Sequence, residues 1–582
     1  MDFSKLTSLQ IPEGNVTKIQ DKEGNILWAN INKVAYGVRW NSVNQATTAC
    51  ERIGNLELHK TLPIQSRFKV CIHKGKEIQY YCNPIDSRFV EESKRNQFTH
   101  QGTDLNITAC DGLPAGVVSC EENSVVKCKF INKDLFSNYR FLYSYVYVRN
   151  NINKNLVAIG RIVYINTTTG EAYIDDSDNI DAGDYAYTND SYRFFVYEAP
   201  DPNETEFTNN CTVEFGCSIN GYDGEIGVDT GGKFYQWSVD NDGDNNEVWQ
   251  SLYKCVPYAR EIKRHIIGID RACVLNIAFN DTKWGWIGSL EANTAVNVIN
   301  YHTNLRGGVN KSSLDKYLGV DNFRCQLGKA RTGIPLATMR SYSQKTDGGQ
   351  MLYKQIWEAI VWSYVIEYAD FDVKKAYNSE LTTEGYHQGG LGNGVIGGTN
   401  LINYNDNQKI VPNDYTLELG NNTGIKTRAS RENQIAWNVP HWRGFNVFWY
   451  GDNWINIDNM LTKYDTTKQK RIWYYTDDIT KFSNDITNKE HQIEGLGNVN
   501  TDWLQEVRIN NKGDIVPSKI ANNTNYKNSF HWDNTDSSIH TTFVGGISGY
   551  GSFCGLLFLY ALSGAGDAWS HLGFAKVTIL DN

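Results

Sequence analysis

"GGISGYGSFCGLLFLYALSGAGDAWSHLGFAKV", Gly545 to Val577, brings a glycine-punctuated run of large apolar and aromatic residues close to the last residue given, Asn582. Three readings compete for it: a membrane segment, buried core strands, or a surface built to touch another molecule. A membrane helix needs about 20 consecutive apolar residues. The longest run here, Cys554 to Leu562, is broken at once by Ser563, Gly564, Gly566 and Asp567, so membrane insertion is not expected. The stretch therefore reads as strands that cross a core, with Leu556 and Leu557 anchoring the core and residues between and beyond them projecting outward.

The rest of the chain agrees with a strand-rich protein. Its 582 residues exceed the size at which a single core stops growing, so two to four domains are expected. Tyrosine (34) and tryptophan (16) far outnumber methionine (4), a balance that favours strands, turns and contact surfaces over helical bundles. The fold class read from this is α+β, β-rich. The net charge of -10, with no Lys/Arg-rich run, argues against nucleic acid as a partner. Twelve cysteines without a C-x-x-C pair, Cys211 and Cys217 coming nearest, suit reduced core residues better than a disulfide scaffold. No secretory signal is read at the start, "MDFSKLTSLQIPEG", so folding in a cytoplasm is expected.

Four segments are expected. Residues 1–33 hold a small hairpin, in which Val16 to Ile19 and Ile26 to Trp28 flank the turn Asp21 to Asn25. Residues 34–91 carry short strand-like runs such as "VAYGVRW" and "EIQYYCNP". Residues 92–220 change texture, with five cysteines and alternating tyrosine-rich runs such as "YRFLYSYVYVRN", and read as an inserted β-sandwich-like module. Residues 221–582 resume the body. Within them "MLYKQIWEAIVWSYVIEYADF", Met351 to Phe371, repeats Leu352, Ile356, Ile360 and Tyr364 at i+4 with Trp357 and Val361 beside them, which predicts a helix laid across a sheet. No internal repeat is present.

Motifs of catalysis are weak. "GNGVIG", Gly392 to Gly397, meets G-x-G-x-x-G but does not follow a strand and open a helix, so a structural glycine loop is expected. "DNDGDNNE", Asp240 to Glu247, lacks the Gly and Glu positions of a calcium-binding loop and reads as a solvated turn. There is no H-E-x-x-H and no G-x-S-x-G. His531, His540 and His571 lack a partnered carboxylate motif and read as surface or cap histidines. No cofactor, no metal and no enzymatic activity is expected, although an Asp/Glu pair for glycan cleavage remains open among 66 acidic residues.

Several separated stretches, "VAYGVRWN", "CERIGNLELHKTLPIQSRFKVCI", "IQYYCNP", "GIPLATMRSYSQK", "VIEYADFDVKKAYN", "TEGYHQGGLGNGV", "WRGF" and "FVGGISGYGSFCGLLF", resemble in order those of phage tail-fibre and receptor-binding proteins of gut Bacteroidota phages. These are similar to the variable proteins of diversity-generating retroelements. The resemblance covers roughly 34–84 and 224–577 and implies a C-type-lectin-like body, in the variant shared with formylglycine-generating enzymes. It implies a virion protein, on a tail or head fibre, that binds a bacterial surface glycan or protein and contacts other virion proteins through its N-terminal segment. A homotrimer follows from the same likeness. Alternatives are a purely structural virion decoration and a glycan-cleaving tailspike. The resemblance places the ligand-facing set at Ser548, Tyr550, Ser552, Phe553, Phe558, Tyr560, Leu562, Ser563, Asp567, Trp569, Ser570 and His571. Aromatic rings with hydroxyls on a rigid scaffold make a recognition composition.

Overall fold

The computed structural model describes residues 18–20, 26–41, 50–81, 99–101, 105–109, 125–130, 136–138, 140–141, 145–150, 156–175, 211–215, 223–241, 245–268, short paired segments between 273 and 296, 334–371, 381–386, 416–419, 425–428, 435–436, 445–446, 454–495, 501–510, 513–520, 529–532, 535–545, 555–568 and 572–580. The protein is a β-rich α+β structure of several largely antiparallel sheets. The N-terminal hairpin forms as expected, Lys18–Gln20 pairing with Ile26–Ala29.

Residues before and after the inserted segment are woven into the same sheets. A five-stranded sheet runs Arg260–Ile262, Phe234–Asn241, Asn245–Ser251, Ala35–Asn41, Glu51–Gly54. A six-stranded sheet runs Gly349–Met351, Lys576–Ile579, His265–Gly268, Glu225–Asp229, Lys69–Lys74, Glu77–Tyr81. Gly54, with φ of +83°, closes the return from the edge strand of the five-stranded sheet; a side-chain carbon there would lie 2.6 Å from the Ala35 carbonyl oxygen.

Seven strands between Thr99 and Phe215 form a sheet of their own and, among the described residues, pair with no strand outside that interval. The described strands make one sheet, where two facing sheets were expected. Asp223 ties this segment to the body: its carboxylate accepts from Arg140 Nε at 2.7 Å and from Tyr80 Oη at 3.1 Å. Phe136 and Phe141 pack on Phe215 beside that contact, their ring centroids 5.9 and 4.6 Å from it.

The helix Lys354–Tyr368 is the centre of the body, and every one of its residues is buried. It contacts Ala35–Asn41, Asn245–Ser251 and Arg260–Ile262 of the five-stranded sheet, and Trp454–Asp465 of a nine-stranded sheet built from the last third of the chain. A helix that is apolar nearly all round must be covered on all sides. Trp362 stacks on Trp40 at 5.3 Å and donates to the Gly513 carbonyl at 2.9 Å, which ties both sheets to one side chain. The helix stops at Ala369, whose φ of +53° lets its N–H reach the Val365 carbonyl. Two of its buried polar residues pair outward: Ser363 Oγ accepts from Gln250, and Gln355 donates to the Thr476 carbonyl at 2.8 Å.

Candidate functional site

The closing stretch forms the strand Gly555–Ala561, with neighbours on both sides: Ile539–Gly545 antiparallel and Ser529–Trp532 parallel. Phe558 and Tyr560 share one face and join a core cluster with Trp454, Phe543, Leu336, Met339 and Phe574. Leu557, Leu559 and Ala561 point the other way and are also fully buried. A strand covered on both faces reads as a continuous apolar run rather than an alternation. The expectation of outward-facing Phe558 and Tyr560 is therefore corrected: their solvent exposures are 0% and 9%. Ser563 is likewise buried, and Leu562 packs against the same cluster. Asp567 is partly buried and closes its own turn, its carboxylate accepting from the Gly564 N–H at 3.0 Å.

Register separates the expected set further. Ile455 faces Val544, Val544 faces Leu559, Gly545 faces Gly555, and Trp454 lies alongside Leu572. All of these mark one end of the nine-stranded sheet. The chain runs into Trp454 from 447–453, crosses from Gly545 to Gly555 through 546–554, and returns to Leu572 through 569–571. Ser548, Tyr550, Ser552, Phe553, Trp569, Ser570 and His571 belong to those connections and lie outside the described residues. Gly564, by contrast, bridges His540, four residues down the neighbouring strand from Val544. Leu562, Ser563 and Asp567 thus sit toward the other end of the strands, and the five described members of the set, Phe558 and Tyr560 among them, do not form one exposed face.

The base beneath the convergent end is rigid. Trp454 stacks on Tyr560 at 4.3 Å and on Phe543 at 5.9 Å, joining three adjacent strands through aromatic contacts. His540 is buried, a correction to its expected surface position; its Nδ1 lies 2.8 Å from the Ala561 carbonyl and its Nε2 2.8 Å from the Asp536 carboxylate. His571 and the side chain of His531 lie outside the described residues, as does Gly392 to Gly397. Asp240 to Glu247 spans a hairpin rather than a free turn. Glu247 is buried and holds Arg39 at 2.6 Å and the Trp249 indole N–H at 3.0 Å.

A second centre was not foreseen. Lys354 opens the long helix, where the dipole disfavours a cation. Its ammonium donates to both oxygens of Glu358, at 2.8 and 2.7 Å, and to Asp514. Arg260 approaches Glu358 at 3.4 Å and Asp514 at 3.2 Å, and Tyr475 donates to Asp514 at 2.5 Å. Burial works against the Asp514 charge, but Lys354 and Arg260 outweigh it and hold the carboxyl well below its ordinary value. Beside this centre the strand Trp454–Asp465 bulges between Ile457 and Leu461, and Asp458 in the bulge accepts two bonds of 2.7 Å from Arg340. Apart from Lys354 with Glu358, these pairs join different elements, Arg260 and Asp514 standing 254 positions apart, and no local motif announces them. Glu358 at i+4 from Lys354 was the one signal within a single element.

Among the described residues no cluster of His, Cys, Asp and Glu has a metal-binding arrangement, and no helix is long and apolar enough to cross a membrane. No protein-family model matches the chain, and no curated protein matches it either.

Proposed function

We propose that this chain is a recognition protein of a bacteriophage particle, binding a glycan or protein on the bacterial surface through the connections at one end of its C-terminal sheet. The observation that carries the reading is the convergence at Trp454, Gly545, Gly555 and Leu572, where three connections begin or end on strands locked by aromatic stacking. Loops on a rigid scaffold are the usual carriers of binding residues. The resemblance of the ordered motifs to phage receptor-binding proteins supplies the partner, and with it a C-type-lectin-like body, a virion location and a trimer. Mechanism is then adhesion, with many weak contacts per particle strengthened because later contacts become intramolecular.

The test is binding of the purified protein to intact host-type bacteria. Tyr550→Ala combined with Trp569→Ala should abolish it while circular dichroism and the melting temperature stay at wild-type values. Undiminished binding by that variant would move recognition to the seven-stranded module. Absence of binding by the wild type would favour a structural role within the particle.

A further inference from the structure

Lys354, Glu358, Asp514 and Arg260 form a charge centre at the meeting of the long helix, the edge of the five-stranded sheet and the nine-stranded sheet. The side chains of Lys354, Glu358 and Asp514 have no solvent exposure, and that of Arg260 has 10%. At the rim stands Asp477, 3.9 Å from Arg260 and 49% exposed, with His491 Nε2 at 2.8 Å from its other oxygen. Two cations thus face three carboxylates, and the centre is one proton short of neutrality while His491 is uncharged.

Geometry decides where that proton goes. Glu358 and Asp514 both accept from one Lys354 nitrogen, so two carboxylates lie close together in a dry site, where like charges resist joint ionisation. Asp514 has the better set of donors: Lys354, Arg260, the Tyr475 hydroxyl and Asn510 Nδ2 at 2.7 Å. Glu358 has Lys354 from its own helix, the Ile515 N–H at 3.0 Å and Arg260 only at 3.4 Å. Asp514 keeps its charge, and Glu358 is the group left to take a proton.

We propose that this centre is a one-proton clasp, in which Glu358 takes a proton from solvent as the surroundings turn from mildly alkaline to mildly acidic, neutralising the centre and tightening the joint between helix and sheets. Burial, reinforced by Asp514 against the pull of Lys354, pushes the Glu358 carboxyl up from its ordinary 4.5 to about 7. A carboxyl raised in the folded state binds a proton that the unfolded chain releases, so stability grows as pH falls through 7 and levels off below 4.5. The limiting slope is about tenfold in the opening equilibrium per pH unit.

The experiment is amide hydrogen exchange on the full chain between pH 5 and 8.5, reading protection factors of the helix Lys354–Tyr368 in wild type, Glu358→Gln and His491→Gln. Wild-type protection should rise as pH falls, by up to about tenfold per unit. Glu358→Gln should lose that rise and His491→Gln should keep it. Equal slopes in wild type and Glu358→Gln would overturn the proposal, as would loss of the slope in His491→Gln alone. Should Glu358→Gln fail to fold, infrared spectroscopy of the wild type decides: a protonated buried carboxyl band present at pH 6 and gone at pH 8.5 supports the clasp, and its absence at pH 6 refutes it.

Discussion

Trp454 and Tyr560 stack face to face, 4.3 Å between ring centroids at an interplanar angle of 26°, although they are separated by more than a hundred residues and stand on strands that do not pair directly. The strand Ile539–Gly545 runs between them and contributes Phe543 to the same stack. The stack fixes the relative positions of the strand ends from which 447–453 and 546–554 depart. Tyr560 is consequently a support for the proposed recognition end and not a contact within it.

Tyr560→Ala and Phe558→Ala should each cost about 3–5 kcal/mol, the range for removing a buried aromatic side chain. Denaturant unfolding measures this. Any binding lost by Tyr560→Ala should return when the protein is assayed under conditions that restore the fold, whereas binding lost through Tyr550 and Trp569 should not.

Asp458→Ala should destabilise the protein by about 3–5 kcal/mol, because it leaves the Arg340 guanidinium buried without the carboxylate that takes two of its N–H groups. The loss should exceed that of Lys468→Ala, whose partner Glu494 is about half exposed. Melting temperatures of the two variants give the comparison.

Ala369→Gly should be stabilising, by about 0.5–1 kcal/mol. Ala369 ends the long helix in the left-handed region at φ +53°, where a side-chain carbon is strained and glycine is not. A fall in melting temperature would show that the methyl group's packing outweighs the strain.

Asp229 gives the acid limb of stability. Burial alone would raise its carboxyl, but Arg264 at 2.7 Å, the Gly231 N–H and the Tyr81 hydroxyl hold it below its ordinary 3.8. A carboxyl depressed in the folded state contributes stability that is present above 3.8 and lost as pH falls through its folded value. Asp229→Asn should therefore be less stable than wild type at pH 7 and nearly equal to it in strong acid, converging as unfolding is followed downward from pH 5.

Elements with a local signature were readable in advance. The helix at Lys354–Tyr368 lies within the segment that its four-residue repeat indicated, and the hairpin Lys18–Gln20 with Ile26–Ala29 follows its turn signal. The outward face of the closing strand was misread because alternation holds only where one side of a sheet meets water, and Gly555–Ala561 has neighbouring strands on both edges and cover on both faces. The buried charges were invisible for a different reason. Arg260, Lys354 and Asp514 are ordinary surface-type residues in sequence, and only long-range pairing brings them together. Glu247 was misread in the same way, its partner Arg39 standing more than two hundred positions away.

The order of strands in the six-stranded sheet bears on how the chain acquires its form during synthesis. Lys69–Lys74 cannot complete its pairing until Glu225–Asp229 has emerged, and His265–Gly268 still awaits Lys576–Ile579. At ~5–20 residues per second, roughly 25–100 s separate the appearance of Tyr81 from that of Ile579. The strands from Thr99 to Phe215 need no such delay, since among the described residues they pair only with one another. The module can ripen early on the ribosome while the body that carries it remains open until Lys576–Ile579 has emerged.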